Sequence, residues 1–339
     1  MAHVLLTGGA GYIGSHTFAA LRAAGHGATI LDDFSNSDPS VVDRLARLTG
    51  GPVDVVRGSV LDDAALADAF GRGVDAVVHF AARKAVGESV QRPLDYFETN
   101  IAGLVRLLRH ARDAGAWNVV FSSTATVYGE PAAFPIPETA PLGYTSPYAF
   151  TKLTAERMLE QAAAADPFRV GVLRYFNPVG AHPSGLIGED PHGVPDNLMP
   201  YIAKVAMGEL PALRVFGDDY DTPDGTGLRD YIHVEDLARA HVLSLEALLA
   251  GRPHVLNIGT GRPTSVLEMH AAYERAAGRR LPLEVVPRRP GDVPRLDADP
   301  RLAREVLGFE AALDLDAMCR DSWRWVRAQA SGWRLNDPG

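Results

Sequence analysis

Tyr148 and Lys152 stand four residues apart in the segment SPYAFTK at 146–152, a spacing that puts both side chains on one face of a helix. A phenol beside an ammonium is a proton-transfer pair, because a nearby positive charge favours the phenolate and lets the tyrosine act as a base near neutral pH. Alone the pair is commonplace, and a surface tyrosine next to a solvated lysine is then the better reading. What turns it toward chemistry is Ser122-Ser123-Thr124, which ends an apolar run over 119–122. Strand ends in a wound parallel sheet face the ligand crevice. Thr124 is placed there to share a hydrogen bond with the substrate hydroxyl that Tyr148 deprotonates.

A second constellation lies near the start of the chain. TGGAGYIG at 7–14 follows an apolar run and opens a helical pattern, with Gly8, Gly11 and Gly14 spaced by three. Glycines there allow a tight turn and close backbone approach, and the following helix N-terminus receives a pyrophosphate. Asp32, 18 positions beyond Gly14 at the end of the next apolar run, is placed to accept hydrogen bonds from adenosine ribose hydroxyls. Asp33 adds a negative charge where NADP would carry its 2′-phosphate, which favours NAD. The same nicotinamide ring would add positive charge near Tyr148, and the expected phenol pKa is depressed.

Positioning such groups takes a helix-covered parallel sheet. The sequence predicts strands over 4–7, 28–32, 53–57, 76–80, 119–122 and 170–174, alternating with helices over 13–24, 62–70, 95–114 and 147–165. This is an α/β, doubly wound Rossmann-type pattern. After Asn177 a glycine- and proline-rich stretch runs to about 195, a loop length that is functional or disordered in compact chains. Further helices are predicted over 198–207, 234–250, 266–277 and 315–328, and short strands over 255–258 and 283–286. The expected division is a dinucleotide-binding domain over 1–176 and a smaller mixed α/β substrate domain over 177–339, with some segments returning to the first sheet.

Composition narrows the partners. With 339 residues, 46% of them hydrophobic, the chain can bury a full core. A net charge of −9, with no basic tract, argues against nucleic acid or a membrane surface. No apolar run approaches the roughly 20 residues of a membrane span, and a cytoplasmic location is expected. Cys319, the one cysteine, reads as a packed thiol. No metal site is expected, and His79 and His233 read as partners of backbone or neighbouring side chains.

Taken together, these residues resemble the extended short-chain dehydrogenase/reductase superfamily, and within it the UDP-glucose (UDP-galactose) 4-epimerase family. The resemblance is carried by 7–14, 79–90 (HFAARKAVGESV), 121–129 (FSSTATVYG), 146–152, 174–185 (RYFNPVGAHPSG), 197–201 (NLMPY) and 229–234 (RDYIHV), spread over nearly the whole chain. It implies reversible inversion at C4 of a UDP-hexose through a 4-keto sugar, with NAD tightly held and regenerated in each turnover. Tyr148, Lys152 and Thr124 would be catalytic. Gly8, Gly11, Tyr12, Ile13, Gly14, Asp32, Asp33, Ser59, Val60, Phe80, Ala81, Lys84, Thr99 and Phe176 would meet the cofactor, with Tyr148 and Lys152. Lys84, Thr124, Tyr148, Asn177, Asn197, Leu198, Phe216, Arg229, Tyr231, Arg289, Asp292 and Leu296 would meet the substrate, Arg229 and Arg289 at the diphosphate and Asp292 at a ribose. A homodimer through helices near 95–114 and 147–165 is also implied.

The chain departs from the family pattern at several points. Ser59 stands where an aspartate receives the adenine amino group, which loosens that end of the cofactor site. Thr99 replaces an asparagine, although Asn100 follows it, and Ala82 and Arg83 replace a glycine and an apolar residue. Leu296 replaces either a large tyrosine or a small residue, an intermediate size that bears on acceptance of UDP-N-acetylhexosamines. Nucleotide-sugar dehydratases and uronate decarboxylases share the tyrosine but carry an acid near the active-site Ser/Thr, and 124–128 (TATVY) contains none. Arg83 keeps a UDP-uronate epimerase in view. A non-enzymatic NAD-sensing regulator would be expected to lose Tyr148 or Lys152.

Overall fold

The computed structural model of the chain describes residues 1–190, 195, 197–289 and 291–331. Its first half contributes β1 (His3–Thr7), β2 (Gly27–Asp32), β3 (Asp54–Arg57), β4 (Ala76–His79), β5 (Asn118–Thr124) and β6 (Arg169–Tyr175). Its second half contributes β7 (Asn177–Val179), β8 (Leu213–Phe216), β9 (Leu228–His233), β10 (His254–Ile258), β11 (Pro263–Ser265), β12 (Leu283–Val286) and β13 (Arg295–Leu296). The main sheet runs β10-β6-β5-β4-β1-β2-β3, and every pairing in it is parallel. Strand order reverses between β1 and β4, and at that switch point the carboxyl ends of neighbouring strands open a crevice.

Both faces of the sheet are buried, as a parallel sheet requires. Val4, Leu6, Ile30, Val78 and Leu173 pack with Phe18 and Leu21 of the helix Tyr12–Ala23 and with Leu237 and Leu245 of Val234–Leu249. Their strand neighbours Leu5, Leu31, Val77 and Val119 point the other way, onto Leu104 and Leu107 of Gly103–Ala114 and Ala155 and Leu159 of Pro147–Ala165. That last helix starts where the sequence predicts: the Ser146 side chain accepts from the Ala149 amide at 3.2 Å, and Pro147 fills the first turn, where no amide is needed.

The helix predicted over 95–114 is three pieces: Pro93–Tyr96, a π-helical Phe97–Ala102 and Gly103–Ala114. The wider turn serves Asn100, which is buried and bonds the Arg83 amide at 2.8 Å, the Arg83 carbonyl at 3.0 Å and Thr151 Oγ1 at 2.9 Å. An inserted residue that re-aims a side chain is the usual role of a π-bulge. Helices Val41–Thr49, Val86–Gln91 and Arg301–Leu307 are additional to those expected. In the second half β9 is flanked by β7, β11 and β13, while β8 and β12 form a separate parallel pair. The glycine- and proline-rich stretch after Asn177 is anchored, with Ile187 in the core and the Glu189 carbonyl accepting from Trp325 Nε1 at 3.0 Å; its end, 191–194, lies outside the described residues. Among the described residues no helix is long and apolar enough to cross a membrane. Cys319 is buried against Met269, and burial pushes its thiol up to about 12.

Buried histidines give the fold an acid limit. Burial lowers His16 and His79 to about 3 and His241 to about 4, so the folded chain keeps them neutral where the unfolded chain protonates them near 6.5. The unfolded state therefore binds more protons below pH 6.5, and stability falls with falling pH. Glu235 acts oppositely: burial raises it to about 7, so the folded state holds one proton that the unfolded state lacks above about 4.5. His182 and His254 are lowered by burial as well, while Asp32, Glu138 and Asp230 are raised; between about pH 5 and 6 the five histidines stand against Glu235 and these three carboxyls, and the net slope keeps the histidines' sign. Urea midpoints measured across that window should drop steadily toward acid, and a flat profile would contradict this account.

Candidate active site

A cleft of ≈ 1170 Å³ lies at the switch point, above the roughly 300–1,000 Å³ of a site for one small ligand. Its wall includes every residue expected to meet a cofactor: Gly8, Gly11, Tyr12, Ile13 and Gly14 of the loop, Asp32 and Asp33, Ser59 and Val60, Phe80 and Ala81, Lys84, Thr99, Tyr148, Lys152 and Phe176. Asn177, Asn197, Leu198, Phe216, Arg229, Tyr231, Arg289 and Asp292 line the same cleft. Leu296 does not appear on that wall. It packs against the cluster of Ala125, Tyr128, Ile136, Phe176 and Ala298, of which Phe176 lines the cleft.

The glycine loop fits a dinucleotide. A Cβ on Gly14 would lie 2.3 Å from the Gly8 carbonyl oxygen, so the turn closes only with glycine. No side chain caps the helix Tyr12–Ala23 and its first turn carries no acid, which leaves the positive helix end facing the cleft for an anion. Asp32 is buried, and its oxygens accept from the Ala10 amide at 2.9 Å and the Phe34 amide at 2.8 Å. It therefore braces the loop while lining the cleft, and burial raises its carboxyl pKa. Asp33 is exposed, with Oδ1 accepting from the Ser35 amide and hydroxyl at 2.9 and 2.6 Å. Ser59 Oγ accepts from the Leu61 amide at 3.3 Å, which leaves its proton free for an adenine.

At the reacting end, helix Pro147–Ala165 lies against the ends of β5 and β6. Lys152 Nζ donates to the Ser122 carbonyl at 2.7 Å and sits 5.0 Å from the Phe121 ring. Thr124 lies beside the Tyr148 hydroxyl and acts to lower its pKa, while its own Oγ1 accepts from the Thr126 amide and hydroxyl, each at 3.2 Å. The expected depression of the Tyr148 pKa is not found among the chain's own groups: burial pushes the phenol up to about 12, with Thr124 opposing in part. Burial also lowers Lys152 to about 8, against the attraction of Glu156. The ammonium is spent on the Ser122 carbonyl, and desolvation of a phenolate outweighs what it offers Tyr148.

Histidine 79 bonds Thr7 Oγ1 at 2.6 Å and stays neutral. His233 caps the helix Val234–Leu249 by accepting from the Glu235 amide at 3.1 Å. Among the described residues no group of His, Cys, Asp or Glu could hold a metal ion.

The substrate end is polar and cationic. Arg229 is ion-paired with Asp292, two residues the sequence assigned to separate parts of the substrate. Arg289 lies over the Phe216 ring at 3.8 Å, and Asn177 Oδ1 is buried with no partner, an acceptor left for a ligand. Arg83 lines the cleft but lies 3.8 Å from Glu88, which competes for it with any sugar carboxylate.

Two residues on the wall escaped sequence reasoning. Glu189, from the glycine- and proline-rich stretch, pairs with Lys84 at 3.5 Å and accepts from Asn197 at 3.3 Å. Tyr175 bonds the Ser122 hydroxyl and faces Tyr148; it lay inside the quoted segment 174–185, with no spacing signal of its own.

A model of the NAD dependent epimerase/dehydratase family matches residues 4–259. The UDP-glucose 4-epimerase of Pasteurella multocida is 48% identical over 335 residues, covering 98% of this chain and 99% of that one. Among solved structures, a UDP-glucose 4-epimerase from Stenotrophomonas maltophila with bound NAD and formylated UDP-arabinopyranose superimposes with a TM-score of 0.96 at 51% identity, over 98% of this chain and 99% of that one. One from Bifidobacterium longum in complex with NAD+ and UDP gives 0.91 at 46%, over 98% and 100%.

Proposed function

The chain belongs to the NAD dependent epimerase/dehydratase family, and from that premise we infer that it inverts C4 of a UDP-linked hexose, interconverting UDP-galactose and UDP-glucose. The observation that carries the reading is a single cleft whose wall holds the glycine loop, the Tyr148–Thr124–Lys152 set and the cations Arg229 and Arg289. NAD, when bound, supplies a hydride acceptor and donor for C4 and a positive ring charge. Tyr148 takes the proton of the 4-hydroxyl and later returns it, while Thr124 holds the same oxygen in line. Lys152, fixed at the Ser122 carbonyl, presents its remaining protons to ribose hydroxyls. Arg229 and Arg289 hold the diphosphate, so that the sugar stays tethered while the 4-keto ring turns its other face to the reacting end.

Purified protein incubated with UDP-galactose and no added NAD is expected to form UDP-glucose, and absence of conversion would sink the reading. UDP-N-acetylglucosamine and UDP-glucuronate in parallel define the range at the sugar end. Arg289→Gln removes one charge-assisted contact of about 1.5–3 kcal/mol. The expected result is a rise in KM of about 10- to 100-fold with kcat nearly unchanged, since the diphosphate is held alike in ground and transition states. Steady-state rates check it, and an unchanged KM would remove Arg289 from the substrate.

A homodimer and a cytoplasmic location belong to the same reading. Val86, Val90 and Leu94 are exposed apolar residues on helices that pack against Pro147–Ala165, and an apolar surface beside the catalytic helix suits a second copy. Sedimentation at the mass of one 36.3 kDa chain would contradict the dimer.

A further inference from the structure

Three consecutive residues at the end of β5 each hold one residue of the helix Pro147–Ala165, and those helix residues are spaced by four. Thr124 meets Tyr148, the Ser122 carbonyl meets Lys152 at 2.7 Å, and Ser123 Oγ donates to Glu156 Oε1 at 2.5 Å. The first two contacts serve the reaction already described. The third ends on a buried carboxylate that also accepts from Arg174 of β6, from Nε at 3.0 Å and from Nη2 at 2.6 Å. A buried ion pair adds little net stability over apolar packing, so a role beside the reacting groups is the better account of its place.

We propose that Glu156 is a positioning residue for the epimerisation: an anion clamped by Arg174 and Ser123 that keeps the Lys152 ammonium charged and directed at the Ser122 carbonyl, one helical turn from Tyr148. This rests on the C4-epimerase reading. Burial pulls Lys152 down to about 8, and Glu156 is the charge that opposes it. The other groups around the ammonium do not substitute for that anion. His79 from β4 is neutral, Phe121 offers only its ring, and Tyr148 and Tyr175 are held protonated by burial. On the far side Arg174 also donates to the Tyr128 hydroxyl at 3.1 Å and the Glu138 carbonyl at 3.3 Å, so its charge is balanced chiefly by Glu156. Glu156→Gln therefore removes an anion from Lys152 and unmasks a cation near it, and both changes favour loss of the lysine proton.

The chain makes this measurable, because lysine occurs only at 84, 152 and 204. Holoenzyme labelled with 13C at the lysine ε-carbons gives three titrating signals, with Lys152 assigned by its loss in Lys152→Arg. In Glu156→Gln the Lys152 midpoint should fall by about one pH unit or more, and the basic limb of the kcat profile for UDP-galactose should move down with it. Glu156→Leu/Arg174→Met removes both charges at similar volume and should lower the midpoint by less. An unchanged midpoint in folded Glu156→Gln overturns the proposal; if that variant does not fold, an unchanged midpoint in the double variant does the same. Failure of the wild-type protein to convert UDP-galactose would count against the epimerase reading, while the lysine titration would still test the charge relation.

Discussion

Tyr148→Phe should lower kcat for UDP-galactose by about 10²- to 10⁴-fold, the usual worth of a positioned general base. Only the oxygen is removed. The ring keeps its volume on the helix Pro147–Ala165, and the neighbour the hydroxyl loses is Thr124, so the fold and the glycine loop should be untouched. Because burial holds the free phenol near 12, the chain's own groups leave it protonated at neutral pH. Its activation must come with the loaded site, and KM should therefore change far less than kcat. Rates of UDP-glucose formation, with NAD content measured on the same preparation, check this. Undiminished conversion would remove Tyr148 from the chemistry.

The second large effect is expected at the glycine loop. A methyl group on Gly14 would stand 2.3 Å from the Gly8 carbonyl oxygen and 2.7 Å from Gly9 Cα, both backbone atoms that cannot swing aside. Gly8 cannot yield in turn: it has φ +69° and its own Cβ position is 2.7 Å from the Ala81 amide nitrogen, in the segment that follows β4. Overpacking of this kind costs about 1–3 kcal/mol, here charged to the loop geometry on which cofactor binding depends. Gly14→Ala should therefore retain about 5- to 150-fold less tightly bound NAD, read by chromatography of nucleotide released from denatured protein. Excess NAD should restore much of its activity, since Tyr148, Lys152 and Thr124 are untouched. Cofactor content equal to wild type would mean that the loop does not carry the pyrophosphate.

The strands of the first half were legible because each is a short apolar run, buried on both faces and followed by a helical period; Leu5 and Leu6 of β1 pack on opposite sides of the sheet. β9 was not, because Asp230 interrupts it. That carboxylate is buried and accepts from the Thr260 amide at 2.8 Å, the Gly261 amide at 2.9 Å and the Ala298 amide at 3.2 Å, partners that only the folded chain assembles. The π-helical turn at Phe97–Ala102 was hidden because its composition is ordinary for an α-helix. At the site, spacing exposed Tyr148 with Lys152 once Ser122–Thr124 was read as a strand end, and the glycine trio once the flanking strand, helix and Asp32 were read with it. The Arg229–Asp292 pairing, the packing of Leu296 on the cluster that holds Phe176 and the Glu156–Arg174 clamp depend on contacts between distant segments. The raised Tyr148 pKa was missed for another reason: charge proximity is readable from spacing, but desolvation is not.

The central claim is that hydrogen leaves and returns to the same carbon within one loaded site. UDP-galactose deuterated at C4, converted by purified protein with no added NAD, tests it most directly. The expected product is UDP-glucose that keeps its deuterium at C4 in ordinary water. Loss of the label to solvent, or conversion only when free NAD is supplied and deuterium appears in it, would contradict the account.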